Sequence, residues 1–414
     1  MEFLVLRKRS NHAPEGMNRP AGAGRGDIEA VFQDLSRSDV HGLPRDENVV
    51  AAAEPMPLAL LEPVGGEPFV PTADPASGDG EGTPTWGVRT VKADVSGFTG
   101  RGVRIAVLDT GIDRNHSAFN GVEIIGRNFT QRSSTDTTVD PEDFHDTNGH
   151  GTHCAGTIFG RTVGGNRIGI APGIQNAIIG KVLGPGGGST GTLFSAMNWA
   201  IEPGQSADII SMSLGMDVVG LRERLISEKK LHKREATSRA MQILVDNVRF
   251  FDKFGNLLRS GAAFGRSAVV IAATGNESDR FGKRFGGEPF VLGAAYPSDA
   301  EDFLAIGAIE STNDENSPFR IADFSNASAD LAAPGVNVLS AAAGLDPKAL
   351  RFDSGTSMAT PHVAGVAALW AQKLMLSGRA SSTQIANELM HSAQIPIGLE
   401  SKDVGVGIPT APLR

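Results

Sequence analysis

Hydrophobic residues recur with three different rhythms along this chain, and the changes of rhythm divide it. Short apolar runs at Phe3–Leu6, Ile28–Phe32, Val49–Ala53 and Leu58–Leu61, separated by polar stretches, predict a small strand-containing module over residues 1–62. The same pattern also allows a partly disordered extension. Residues 63–85 turn to Gly, Pro, Ala and acidic residues, as in Gly78-Asp-Gly-Glu-Gly82, and cannot bury enough apolar surface to order themselves. They read as a flexible linker.

From Trp86 onward, residues 86–414 read as one large domain in which near-continuous apolar runs alternate with helical patterns. Val103–Leu108, Ala177–Leu183, Asp208–Leu214 and Ala268–Ala273 predict buried strands, with a helix over Thr192–Ala200. Such strands belong to a parallel sheet covered by helices on both faces. Functional residues are then expected at their carboxyl ends. A charged helical insertion at about 218–262, with Lys229, Lys230, Lys233 and Arg234 crowded together, interrupts the alternation. It reads either as a solvated helix over one face or as a docking insertion for a partner or substrate. Near the end, Val363, Ala364, Val366, Ala367, Ala368 and Leu369 leave no polar face, which predicts a central buried helix. Ser357 sits at its first turn. Pro361 is placed in the same turn, where its missing N–H would cost no helical bond. That stretch alone fits an ordinary helix with a capping serine equally well.

Composition narrows the classes. The 414 residues are 40% hydrophobic, enough for a sizeable core, and the net charge of -9 excludes a basic nucleic-acid-binding surface over the main body. A single cysteine excludes intrachain disulfides and fits a reducing compartment, although disulfide-free enzymes are also exported. Met1–Ser10 lacks the charge-then-apolar order of a signal peptide, and no apolar run approaches the roughly 18 residues of a membrane span. A cytoplasmic location without a membrane partner is expected, with non-classical export left open. Gly184–Thr190 is glycine-rich but lacks the Gly-Lys-Ser/Thr ending of a phosphate loop.

A serine hydroxyl attacks poorly near neutral pH unless a base takes its proton, a carboxylate orients the base and donors receive the oxyanion. Asp109 ends a strand, His150 opens the run His150-Gly-Thr-His-Cys-Ala-Gly156, Ser357 opens a helix, and Asn276 ends another strand with an amide suited to an oxyanion. His150, His153 and Cys154 could also be imagined as metal ligands.

Four motifs, Val107-Leu-Asp-Thr-Gly-Ile-Asp113, His150–Gly156, Ala272-Ala-Thr-Gly-Asn276 and Gly355-Thr-Ser-Met-Ala-Thr-Pro-His362, occur in one order, and through them the chain resembles the subtilisin-like serine proteases from about Trp86 to about Gln394. The resemblance implies an α/β fold with a mostly parallel central sheet and helices on both faces, preceded by a small α+β propeptide-like module. It implies a serine endopeptidase working through an acyl-enzyme, with Asp109 orienting His150, His150 as base and Ser357 as nucleophile. Asn276 and Thr356 would stabilise the oxyanion. Ser213, Leu214 and Gly215 would pair with an extended substrate and wall its P1 pocket (the pocket for the residue before the scissile bond), with Gly187 and Gly188 on the opposite edge. Ala295 would lie in that pocket beside a cis-proline turn at Tyr296-Pro297. Cys154 would be buried beneath the site, and Asp113 and His362 would hold it together.

The resemblance assigns no metal ligand and no cofactor to the chemistry. Ala118 and Val163 replace oxygen-bearing residues of the family's tight calcium site, which reads as degraded, while structural calcium elsewhere is left open. Residues 1–62 would be an inhibitory propeptide or a regulator that stays attached. Two narrower readings remain beside the general endopeptidase: a dedicated intracellular processing protease for one precursor peptide, and a non-catalytic peptide-binding protein on the same fold.

Overall fold

In strand β1 (Glu2–Lys8), Leu4 and Leu6 point to one face and Phe3 and Val5 to the other, the two-residue period of a strand covered on both sides. The computed structural model describes residues 2–8, 28–35, 39, 46–69, 82–130, 140–260, 267–312, 314–378 and 380–413. Strand β1 lies between β2 (Ile28–Asp34) and β3 (Val49–Ala53), antiparallel to both. Residues 1–62 therefore contain a folded sheet. Helices that an α+β reading would assign to 9–27 and 40–45 lie outside the described residues.

Two further N-terminal strands leave this small sheet and join the main body. They are β4 (Pro57–Leu60) and β5 (Gly66–Pro68). The main body then alternates as its apolar pattern predicts. It runs through β6 (Arg104–Asp109), β7 (Glu123–Asn128), helix α1 (His150–Phe159), β8 (Asn176–Lys181), β9 (Gly188–Ser189), α2 (Thr190–Ile201), β10 (Ile209–Met212) and β11 (Leu214–Met216). After the insertion helices α3 (Val218–Ser227) and α4 (Lys233–Ser260) come β12 (Val269–Ala273), β13 (Phe303–Ser311), β14 (Phe319–Ile321), β15 (Leu331–Pro334), β16 (Val338–Ala341), β17 (Leu350–Asp353), α5 (Thr356–Met375) and α6 (Ser382–Ser392).

The central sheet has the order β14-β13-β12-β10-β6-β8-β7, with β15 also paired to β13; every pairing is parallel except β14 with β13. Ile105 and Val107 of β6 enter the core shared with α1, α5 and α6, while Ala106 and Leu108 enter the core shared with α2 and α4. This is the predicted doubly covered α/β sheet. Asp109 closes β6, and Ser213 and Asn276 follow the ends of β10 and β12, so the sheet delivers them to one edge. Helix α5 threads the core so closely that a Cβ on Gly365 would stand 2.4 Å from the Ile170 Cβ. Among the described residues no helix is long and apolar enough to cross a membrane.

One expectation needs correction. The linker reading fails at its ends: Val64 N–H donates to Ser354 O at 2.6 Å, and β5 pairs antiparallel with β17. Val64 and Phe69 also pack against the main core, Phe69 edge-on to Phe352 of β17, so this stretch is held by side chains as well as backbone. The charged insertion covers one face with its charges in solvent, as the first of its two readings expects: Lys229, Lys230, Lys233 and Arg234 are exposed. Ala236, Ala240, Ile243, Asn247, Phe250, Phe251, Phe254 and Leu258 are buried at helical spacing along α4, and Leu4 and Leu6 of the N-terminal sheet share one apolar cluster with Phe250, Phe251 and Phe254.

Candidate active site

Ser357 is fully buried at the start of α5, and its Oγ donates to the carbonyl oxygen of Leu61 at 3.2 Å. Pro361 stands one turn further in than the sequence reading placed it, since the helix begins at Thr356. Its missing N–H would have bonded the carbonyl of Ser357. That oxygen instead accepts from Cys154 Sγ at 3.3 Å and Ser213 Oγ at 3.4 Å. The two side chains thus anchor the backbone of the serine where the helix cannot.

His150 is the first residue of α1, and Gly149 before it has φ +99°, a left-handed conformation that suits glycine. The loop is tied by Asp146, a buried carboxylate that the sequence reading missed. It accepts from Thr110 Oγ1 (2.8 Å), Gly149 N (2.8 Å), Thr152 N (2.9 Å) and Thr152 Oγ1 (2.7 Å). Burial opposes the ionised form, yet these hydrogen bonds hold the Asp146 carboxyl below its ordinary pKa. An acid four residues before the histidine, with a threonine two beyond it, was the available signal.

The His150 Nδ1 lies 2.7 Å from Asp109 Oδ1, and both side chains are about 1% exposed. Burial disfavours the charged ring, but the adjacent Asp109 carboxylate outweighs it and raises the histidine pKa well above its ordinary value. His150 Nε2 is buried without a hydrogen-bond partner. The serine hydroxyl is turned to Leu61, so the histidine–serine bond is not made in this state. Such bonds are often loose before the reacting complex forms.

Asp109, His150 and Cys154 do come within 4.8 Å of one another, as a metal site would require. The Nδ1 of His150 is committed to Asp109, burial raises the thiol pKa, and the thiol is engaged by the Ser357 carbonyl. His153 is committed too, with Nε2 donating to Val338 O at 3.0 Å, and burial lowers its pKa to about 3. These groups are tied into one hydrogen-bonded frame.

Asn276 lies opposite. Its Oδ1 accepts from the backbone N–H (2.8 Å) and hydroxyl (2.9 Å) of Thr356. A backbone N–H can only donate, so the amide nitrogen must face the cleft, where it reaches Leu61 O at 3.4 Å and Glu62 O at 3.0 Å. The Thr356 hydroxyl also accepts from Gly275 N at 3.1 Å. Its proton and lone pair are both used inside the frame, which corrects its expected role: Thr356 orients Asn276 and does not itself face the oxyanion.

The cleft holds a strand of the chain itself. β4 lies antiparallel between β9, where Gly188 faces Leu58, and β11, where Leu214 faces Leu60 and Gly215 faces Ala59. Gly187 adopts φ +78° beside it, and a Cβ there would come within 2.9 Å of Leu58 O. A Cβ on Gly215 would stand 3.2 Å from Leu61 Cδ2 and 3.6 Å from the Ala295 Cβ, so the buried Leu61 side chain lies against Gly215, which Ala295 also borders. Tyr296-Pro297 is cis, as expected. The structure thus gathers Asp109, His150, Ser357, Asn276, Ser213, Leu214, Gly215, Gly187, Gly188 and Ala295 around one bound strand.

Several expected residues lie behind the site. Asp113 accepts from Gly344 N at 3.2 Å, and His362 Nδ1 bonds Met358 O at 2.8 Å, its pKa lowered to about 4 by burial. Ala118 and Val163 are packed in the apolar core and offer no side-chain oxygen to a calcium ion.

Comparison with known proteins matches residues 100–408 to the model of the subtilase family of peptidases. The chain is 35% identical over 315 residues to an intracellular serine protease of Paenibacillus polymyxa, covering 75% of this chain and 79% of that one. It is 32% identical over 292 residues to the major intracellular serine protease of Bacillus subtilis, covering 68% and 73%. It is 30% identical over 316 residues to subtilisin DY of Bacillus licheniformis, covering 75% and 92%.

Proposed function

The chain belongs to the subtilase family of serine peptidases, and on that premise we propose that Asp109, His150 and Ser357 are its catalytic triad and that its own residues 57–62 are its first substrate. It is a serine endopeptidase and binds peptide or protein substrate. The observation that carries the proposal is the position of Leu61: its carbonyl oxygen lies 3.2 Å from Ser357 Oγ and 3.4 Å from the Asn276 amide, with its side chain seated against Gly215.

In this reading Ser357 Oγ turns from the Leu61 carbonyl oxygen to its carbon, and His150 Nε2, which has no other partner, takes the hydroxyl proton. Asp109 holds the ring by Nδ1 and balances its charge. The oxyanion gathers on Leu61 O, where Asn276 donates. His150 then passes the proton to the Glu62 nitrogen as the Leu61–Glu62 bond breaks. Water, deprotonated by the same histidine, then adds to the acyl carbon, and the histidine returns the proton to Ser357 Oγ as the ester bond breaks and Leu61 leaves as a carboxylate. Until that cut, the same strand fills the groove, so the N-terminal module inhibits cleavage of other substrates.

The test is the N-terminal residue of the protein after incubation, together with labelling of Ser357 by a fluorophosphonate. Glu62 is expected at the new terminus, with labelling appearing as it forms. A different terminus, or full labelling of the uncut chain, would overturn the reading.

The pH dependence of this self-cleavage has a definite sign. Only neutral His150 can accept the proton, and in the closed chain Asp109 raises its pKa above the ordinary histidine value. The rate should therefore climb with pH, with its midpoint above about 6.5, the ordinary histidine pKa. A pH series of single-turnover cleavage checks it; a midpoint below that value would contradict the assignment.

Two further parts belong to the reading. The apolar side chains of Ala118 and Val163 support an enzyme without the calcium site that their positions would have formed. The names of the intracellular relatives support action in the cytoplasm.

A further inference from the structure

The strand in the cleft does not stop at the fourth residue before the scissile bond, and the insertion between β11 and β12 receives what lies beyond it. Counting back from Leu61 as the first position, Met56 is the sixth and Glu54 the eighth. Met56 is held by its backbone: its N–H donates to Thr190 Oγ1 at 3.1 Å, and its carbonyl accepts from Thr190 N at 2.9 Å. Its side chain is completely buried in a socket made by Leu221 of α3 and Ala240 and Ile243 of α4. Glu54 forms an ion pair with Arg239, and its carbonyl accepts from the buried Asn247 side chain at 2.8 Å. Both partners are on α4. Glu54, Pro55, Met56 and Pro57 also line a cavity of about 670 Å³ between the module, α2 and α3.

We propose that α3 and α4 extend the substrate groove beyond the ordinary cleft and select protein substrates with a large apolar residue at the sixth position and an acidic residue at the eighth. The proposal rests on the reading of residues 57–62 as a substrate. The occupant is then an extended segment of another protein that takes the place of residues 54–61 once the module has been cut away. The observations that favour a substrate over a mere clasp for the module are continuity and backbone form. The strand is extended from Pro57 to Leu60 and hydrogen-bonded on both sides of the cleft, and the Met56 backbone continues this pairing onto Thr190, so any chain with matching side chains can repeat its contacts. The socket and Arg239 would be freed together with the cleft.

The test uses self-cleaved protein, its active sites counted by fluorophosphonate, and two anilide substrates, Glu-Pro-Met-Pro-Leu-Ala-Leu-Leu and Leu-Ala-Leu-Leu. Burial of one methionine predicts about a tenfold or greater advantage in kcat/KM for the longer peptide, carried mostly by KM. Exchanging its Met for Gly should remove most of that advantage. Exchanging its Glu for Lys should cost about threefold, since the ion pair is partly exposed. In Arg239→Glu the order of the Glu and Lys peptides should reverse, a result that a purely structural role for Arg239 would not produce. Equal kcat/KM for the two lengths, or an unchanged charge order in Arg239→Glu, would overturn the inference while leaving the cleavage register intact. Failure to cut either peptide after its last leucine would overturn the register, and the inference with it.

Discussion

Replacing Ser357 by alanine should leave a folded chain that takes up no fluorophosphonate, stays whole at the Leu61–Glu62 bond and turns over peptides about a million-fold more slowly, the loss known for the nucleophile of subtilisin itself. Folding should survive because the hydroxyl has one bond to lose, to Leu61 O, and that oxygen keeps the Asn276 amide as a donor. The backbone bonds from Cys154 and Ser213 to residue 357 do not depend on the hydroxyl. The stability change should therefore stay near or below about 1 kcal/mol. Intact mass of the purified variant is the direct measurement, with thermal unfolding beside it. A variant still cut before Glu62 would mean that another protease does the cutting. A variant that unfolds would mean that the serine is a structural part of the helix start. The expected product, whole and stable with its own strand in the cleft, would also be the natural material for crystallising the uncut state.

Much of this site was legible in the sequence because the chemistry is carried by residues whose local pattern also fixes where they end up. Asp109 ends an apolar strand and Ser357 begins an apolar helix, and a parallel sheet brings the carboxyl ends of its strands to one edge. What escaped is set by distant partners. The direction of the Thr356 hydroxyl depends on Asn276, 80 residues away, and nothing around Thr356 reveals it. The pairing of residues 66–68 with β17 uses backbone groups that composition does not display. The seating of Leu58–Leu61 in the cleft is a register between strands more than a hundred residues apart, and alternation alone cannot choose it. The insertion is a different case. Its buried face from Ala236 to Leu258 has clear helical spacing, but the surrounding lysines and arginines drew attention to the solvent side. Asp146 was missed for a similar reason, as a short acid in a polar loop whose five hydrogen bonds appear only after folding.

Asn276→Ala should lower kcat by a factor of about 100 to 1,000 and leave KM little changed, a loss of roughly 3–4 kcal/mol that is the established figure for the equivalent asparagine of subtilisin. The arrangement here explains why so much can rest on one amide. Thr356 gives Asn276 Oδ1 two donors, so the nitrogen is fixed toward the cleft before any substrate charge appears. In the uncut chain that nitrogen is nearer to Glu62 O, at 3.0 Å, than to Leu61 O, at 3.4 Å. The bond to Leu61 therefore has room to shorten as negative charge develops on that oxygen, and an interaction that strengthens during the reaction acts on kcat rather than on KM. Asn276→Asp should be no better than alanine: its carboxylate could still accept from Thr356 but would face the oxyanion with a like charge. Because Ser357 and His150 remain in both variants, fluorophosphonate labelling should be slowed and not abolished. Acylation rates from single-turnover cleavage test the point, and a variant losing affinity while keeping its rate would place Asn276 in binding instead of catalysis.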